Sequence, residues 1–110
     1  MAEKIKVLAQ LLPVKNTLSD LYVVPAATST AVSSIIICNQ NGVVQISFRV
    51  SIAVNGVSDD LSQYIYYDMP LATNDTFIAT VGLTLNSGDV VRVYTNNSNV
   101  SFSLYGSEVS

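Results

Sequence analysis

Histidine is absent from this chain of 110 residues. Its absence removes serine–histidine–aspartate and cysteine–histidine catalysis, the commonest metal ligand and the usual proton shuttle at neutral pH. There is one cysteine, Cys38, so no intrachain disulfide forms, and with no histidine beside it a structural zinc site within one chain is excluded. Cys38 follows Ile35-Ile36-Ile37 and has no base near it in sequence. It reads as a small buried hydrophobe, not as a reactive thiol, and folding without oxidation fits assembly in a cytosol. Tryptophan is also missing, which weakens a carbohydrate-binding reading. Charge is scarce: 12% of residues, against about 25% in typical soluble domains. With 49% hydrophobic residues, a small domain must cover its surface with Ser, Thr and Asn or bury part of it against other subunits. Both are expected.

The net charge of −3 argues against nucleic-acid binding, which rests on neutralising phosphates, and disfavours an anionic membrane surface. No stretch reaches the roughly 18 apolar residues that span a bilayer. The run Val7 to Leu12 follows Lys4 and Lys6 as in a secretory leader, but it is short, contains Gln10 and meets Pro13, so secretion is not expected. Glutamate occurs only at Glu3 and Glu108, and lysine stops at Lys15. Nearly the whole chain thus lacks the residues that cover helix surfaces.

What is present is strand chemistry. Val44 to Val54 alternates large apolar residues with polar or small ones, which puts one face on a core and one on solvent or a partner. Turn signals cut the rest into short pieces. The strands expected are Ile5 to Leu12, Leu18 to Val24, Ala31 to Asn39, Val43 to Val54, Tyr64 to Met69, Thr76 to Leu83, Val90 to Thr95 and Val100 to Tyr105. Gln40-Asn41-Gly42 and Asn96-Asn97-Ser98-Asn99 each read as a hairpin turn. About eight strands with a turn every ten or so residues predict an all-β fold: a single antiparallel two-sheet sandwich over residues 1–110, immunoglobulin-like or jelly-roll. Residues 1–12 are either its first strand or an N-terminal docking arm.

Few residues offer chemistry. Asp59, Asp60, Asp68, Asp75 and Asp89 sit mostly beside Asn, Gly or Ser. They suit turn residues bonding their own backbone better than calcium ligands, since no EF-hand spacing appears, and nothing pairs two of them across a cleft as a glycosidase needs. No catalytic, cofactor-binding or metal-binding residue is expected. Tyr64, Tyr66 and Tyr67 share a strand, with Tyr64 and Tyr66 on one face and Tyr67 on the other beside Ile65 and Met69. Tyrosine is enriched at interfaces, so a subunit contact is preferred to a sugar platform.

Three stretches, taken in order, resemble a family of small virion proteins of tailed bacteriophages. The first is Leu21-Tyr22-Val23-Val24-Pro25-Ala26-Ala27-Thr28 followed by Val32 to Asn39, similar to the "LYTVPA…SSIxVCN" opening of phage accessory structural proteins. The second is Tyr64-Ile65-Tyr66-Tyr67-Asp68-Met69-Pro70, continuing to Asn74-Asp75-Thr76-Phe77. The third is Leu83-Thr84-Leu85 with Gly88 to Tyr94, closing on Asn99 to Gly106. They cover most of the chain after residue 20. The resemblance implies a non-enzymatic β-sandwich of the virion, assembled in the host cytoplasm, that decorates or cements a capsid, with no cofactor. The partners implied are itself, as a homotrimer, and the major capsid protein or other virion proteins, with neither nucleic acid nor membrane. The alternative is a tail- or fibre-associated module that recognises host surface glycan. The contact residues expected are Val7, Leu8, Leu11 and Leu12 in the N-terminal segment and Tyr64, Tyr66 and Tyr67 in the tyrosine strand.

Overall fold

The computed structural model describes residues 4–110. Eight strands form: β1 (Lys6–Leu11), β2 (Ser19–Val23), β3 (Ser29–Asn39), β4 (Ile46–Ala53), β5 (Tyr64–Leu71), β6 (Thr76–Leu85), β7 (Val90–Thr95) and β8 (Val100–Val109). They make two four-stranded sheets, β1-β8-β3-β6 (sheet 1) and β2-β7-β4-β5 (sheet 2), with every pair antiparallel. The first strand pairs with the last, the second with the seventh, the third with the sixth and the fourth with the fifth. That is a long hairpin rolled up on itself, the jelly-roll solution, and it decides between the two sandwiches the sequence allowed. Residues 6–11 are the first strand of the sheet; Met1 to Glu3 of the expected arm lie outside the described residues.

Neither expected hairpin forms. β3 and β4 lie in different sheets, as do β7 and β8, so Gln40–Gly42 and Asn96–Asn99 carry the chain across the sandwich. The turn chemistry is present at Asn41, but it does not set the flanking strands side by side. Asn41 Oδ1 accepts from the backbone N–H of Val43 (2.9 Å) and Val44 (3.2 Å), an Asx turn that bends the chain without setting two strands side by side. Val43 is consequently 86% exposed, and β4 starts only at Ile46. From there the alternation holds: Ile46, Phe48 and Val50 are buried, and Ile52 packs on the core.

Phe48 organises that core. Its ring lies 5.3 Å from Phe77 of β6 and 6.3 Å from Phe102 of β8, which joins the two sheets through aromatic contacts. Phe48 and Phe102 are fully buried, each contributing roughly 1.5–3 kcal/mol relative to an exposed ring. At one end of the sandwich the crossing loops are tied by asparagine. Asn39, fully buried, donates through Nδ2 to the carbonyls of Val44 (3.3 Å), Leu71 (3.2 Å) and Ala72 (3.0 Å), while its Oδ1 accepts from Asn41 N–H (2.9 Å). At the other end Asp89 does similar work, accepting from the N–H of Asn55 (3.0 Å) and Asn86 (2.9 Å). Gly106 is required where β8 meets the bulge in β3, because a Cβ there would fall 2.2 Å from the carbonyl oxygen of Ala31.

Candidate interaction surfaces

β-bulges decide where the tyrosines point. β5 shifts register against β4 twice, between Val50 and Ser51 and between Phe48 and Val50. Each shift sets extra β5 residues opposite β4, and the two-residue alternation is lost. Tyr64 and Tyr66 therefore do not share a face, contrary to the simple strand reading. Tyr66 turns inward, its ring 5.2 Å from Phe77 and 6.2 Å from Phe48. Met69 also packs on the core. Tyr64 turns outward and meets Tyr67 edge-on at 5.1 Å. Asp68, at φ 51°, occupies the left-handed region within this bulged stretch.

The outward tyrosines belong to a row across sheet 2 that sequence reasoning missed. The Arg49 guanidinium carbon lies 4.3 Å from the Tyr67 ring centroid and 4.6 Å from that of Tyr94, so the cation sits between two aromatic rings. Asp68 grips the same guanidinium from a third side, at 2.7 Å to Nε and 3.3 Å to Nη2. That ion pair is the main reason the guanidinium is held protonated even more firmly than usual. The Tyr94 hydroxyl donates to Asn16 Oδ1 (3.2 Å). At the far end burial raises the Tyr64 pKa, and Asp59 adds to it. The row thus runs Asn16–Tyr94–Arg49–Tyr67–Tyr64, with Tyr67 half-exposed. Arg49 and Tyr94 are cross-strand partners on β4 and β7, a pairing visible only once strand order is known.

The N-terminal residues divide between two roles. Leu8 and Leu11 pack against the core, whereas Val7 and Leu12 are exposed on β1 and just after it. Ile5 and Val14 extend the exposed apolar edge. An open depression of about 400 Å³ lies beside Leu12, walled by Gln40 and Ser101. β1 and β5 occupy opposite lateral sides of the sandwich, so the two groups of expected contact residues are not brought together. Cys38 differs from its expectation as well. It alternates with the buried Ile37 and Asn39, and so lies half-buried on the outer face of sheet 1, beside Ser101 and Thr76.

The carboxylates do turn and ion-pair work. Asp60 accepts from Ser62 N–H (3.0 Å) and hydroxyl, which lower its pKa, and Asp75 accepts from Thr76 N–H (2.8 Å). Asp20 meets Arg92 at 3.2 Å. Between the sheets, the buried Tyr22 hydroxyl bonds both Thr30 (2.8 Å) and Glu108, and Glu108 also pairs with Lys6 at 2.8 Å. Burial first, and the Glu108 bond second, push the Tyr22 hydroxyl up to about 12, while Lys6 and then Tyr22 lower the Glu108 carboxyl. Among the described residues no three of His, Cys, Asp and Glu gather as a metal cluster.

No protein-family model matches this chain, and no curated protein does. Among solved structures it is similar to the crystal structure of a pentameric capsid protein isolated from metagenomic phage sequences, at 15% identity and a TM-score of 0.36. The alignment covers 91% of this chain and 60% of that one, so the chain spans about three fifths of its neighbour's length.

Proposed function

We propose that this protein is a non-enzymatic structural component of a phage virion, bound to a capsid or tail lattice as a decoration or cement protein and self-associating there. The observation that carries the reading is the Tyr94–Arg49–Tyr67–Tyr64 row on the outer face of sheet 2. Tyrosine and arginine dominate protein-binding hot spots, and here both are pre-ordered: the guanidinium is clamped by Asp68 and stacked on both sides. Little side-chain entropy is left to lose when a partner covers it. The jelly roll is also a frequent capsid architecture, an analogy of fold. The ordered resemblance of three sequence stretches to phage accessory proteins points the same way.

Host-glycan recognition is the competing reading. It needs an open aromatic face for a sugar ring, and Arg49 covers one face of both Tyr67 and Tyr94. The test is co-sedimentation of the purified protein with phage particles assembled in its absence. Saturable binding to particles, weakened at least about tenfold by Tyr67→Ala, is expected for a hot-spot residue. Binding to cell-surface polysaccharide with none to particles would replace the virion reading by the glycan reading.

A further inference from the structure

An edge strand presents unpaired N–H and C=O groups, and proteins that stay monomeric blunt such edges with charge, proline, bulges or brevity. The sandwich has four edges: β1 and β6 in sheet 1, β2 and β5 in sheet 2. Both edges of sheet 2 are blunted. β2 has five residues, carries Asp20 and is bulged between Asp20 and Tyr22. β5 is bulged twice, holds Asp68 in the left-handed region and contains Pro70. β6 is different. Its ten residues, Thr76–Leu85, include no charge and no proline; it carries one register shift against β3, between Thr80 and Leu83, but Thr76 to Thr80 lie in unbroken register with Cys38 to Ser34. Ile78 stands on its outer face at 66% exposure, an unusual position for a large aliphatic on an unpaired edge.

The opposite edge of sheet 1 offers a match. β1 is short and bulged, but its one charge, Lys6, is drawn onto Glu108, and Ile5, Val7 and Leu12 are left exposed along it. Charge is sorted between the two sides. Lys4, Lys6 and Lys15 lie in or beside β1. Asp59 and Asp60 shortly precede β5, Asp68 lies within it, paired with Arg49, and Asp75 immediately precedes β6. Direction is sorted too. Sheet 1 has four antiparallel strands, so its two edges run in opposite senses. A rotation about an axis parallel to the strands therefore brings β6 of one copy antiparallel to β1 of the next.

We propose that β6 of one copy pairs antiparallel with β1 of a second copy, head to tail, so that sheet 1 continues from subunit to subunit and closes into a ring. The occupant of the β6 edge is thus this same chain. A two-fold β6–β6 contact would set acidic side against acidic side and leave the apolar β1 edge uncovered. The inference deepens the virion reading by naming the surface of self-contact, and it rests on that reading for its setting only.

The experiment is native mass by light scattering across a concentration series, on the wild type, Ile78→Lys, Val7→Glu and the double variant, with far-UV circular dichroism to confirm folding. Both side chains are exposed, so the fold is expected to tolerate the changes. The wild type should give a closed multiple of about three or more subunits, since head-to-tail contacts close as rings. Each single variant places like charge against the neighbour's edge and should run as a monomer. The double variant restores opposite charges across the contact and should regain the wild-type mass. A wild type that stays monomeric at about 100 μM, above the micromolar range of weak protein contacts, overturns the proposal. So does an Ile78→Lys monomer beside an unaffected Val7→Glu oligomer, which is the signature of β6–β6 pairing. If Ile78→Lys misfolds, Thr80→Lys, also exposed and outward on β6, takes its place. Particle binding measured on the wild type separates the two ideas: a wild type that binds particles but forms no rings keeps the virion role and removes the edge contact, and a wild type that forms rings but does not bind particles does the reverse.

Discussion

Asn39 is the residue whose removal tests the account of the fold most severely. It is the last residue of β3, in sheet 1, and its side chain reaches the end of β5 in sheet 2 and the loops on either side. Its two amide hydrogens serve three carbonyls, and its oxygen holds the Asn41 N–H that starts the Asx turn. Asn39→Ala removes two full donor bonds and one acceptor bond, at about 1 kcal/mol net each, and orphans at least one buried backbone group at a further 1–2 kcal/mol. The expected loss is roughly 4 kcal/mol, read as a shift of urea midpoint at unchanged slope. At about 4 °C per kcal/mol for a domain of this size, the melting temperature should fall by about 16 °C. Asn39→Asp keeps the acceptor and loses both donors, so a carboxylate faces three carbonyls. Its folded pKa must then lie above the unfolded value. The protonated acid, with one O–H donor left, loses least relative to wild type below the unfolded pKa of about 4, and the loss deepens as pH rises through the folded one. A melting point within about 3 °C of wild type for Asn39→Ala at pH 7, below the effect of even one lost bond, would refute the clasp. So would an Asn39→Asp variant that grows more stable from pH 4 to pH 7.

Three further outcomes are expected. Gly106→Ala should cost about 3 kcal/mol or prevent folding, because its Cβ would meet the Ala31 carbonyl; Gly82→Ala, where a Cβ meets nothing within 4 Å, should stay within about 1 kcal/mol of wild type in the same denaturation assay. The Tyr22–Glu108–Lys6 link gives the melting temperature two pH arms. Glu108 is lowered by Lys6 and then Tyr22, so its contribution holds above the ordinary carboxyl value of 4.5 and fades as pH falls; Tyr22 is raised from 10 to about 12, so its contribution holds below 10 and fades between there and 12. Glu108→Gln should flatten the acid arm and Tyr22→Phe the alkaline one, and unchanged profiles would count against the link. Arg49→Ala should lose under about 1.5 kcal/mol of stability, as an exposed stacked ion pair, yet weaken particle binding far more than that; equal losses in both assays would make the row a stabilising device only.

The fold class was legible because alternation survives packing: Ile46, Phe48 and Val50 are inward, as Val44 to Val54 announces. Strand order was not, because Asn41-Gly42 bends the chain equally well into a hairpin or across a sandwich. Which one occurs depends on Asn39 finding Leu71 and Ala72, more than thirty residues away. The tyrosine strand failed for a related reason. Two bulges change the faces of Tyr64 and Tyr67, and a bulge is fixed by the partner strand, here β4, more than by the strand's own residues. The Arg49 row was hidden in the same way, since Arg49, Tyr67 and Tyr94 are distant in sequence and meet only through the β5-β4-β7 order. A lone arginine amid an apolar strand, in a chain with just five basic residues, was the one available hint.

The scarcity of charge and the asymmetry of the edges have one explanation if sheet 1 is completed by neighbours. Pairing the first strand with the last and the third with the sixth relies on contacts distant in sequence, which form slowly and leave edges open during folding. A monomer of this design would have to protect every edge. Sheet 2 does so in its own sequence, with Asp20, Asp68, Pro70 and three register shifts. Sheet 1 has one register shift but no charge and no proline on β6, and one bulge with a neutralised lysine on β1. Closing sheet 1 into a ring removes its edges altogether, which no substitution within one subunit can do. It also predicts which surface stays free. The outer face of sheet 2, with the tyrosine–arginine row, is not used by the ring contact and is repeated once per subunit. Weak contacts to a lattice would then act together, and affinity for particles should fall by orders of magnitude in any folded variant that is monomeric, even with Arg49 and Tyr67 intact. Particle binding of folded Ile78→Lys at wild-type strength would break that chain of reasoning at its last link.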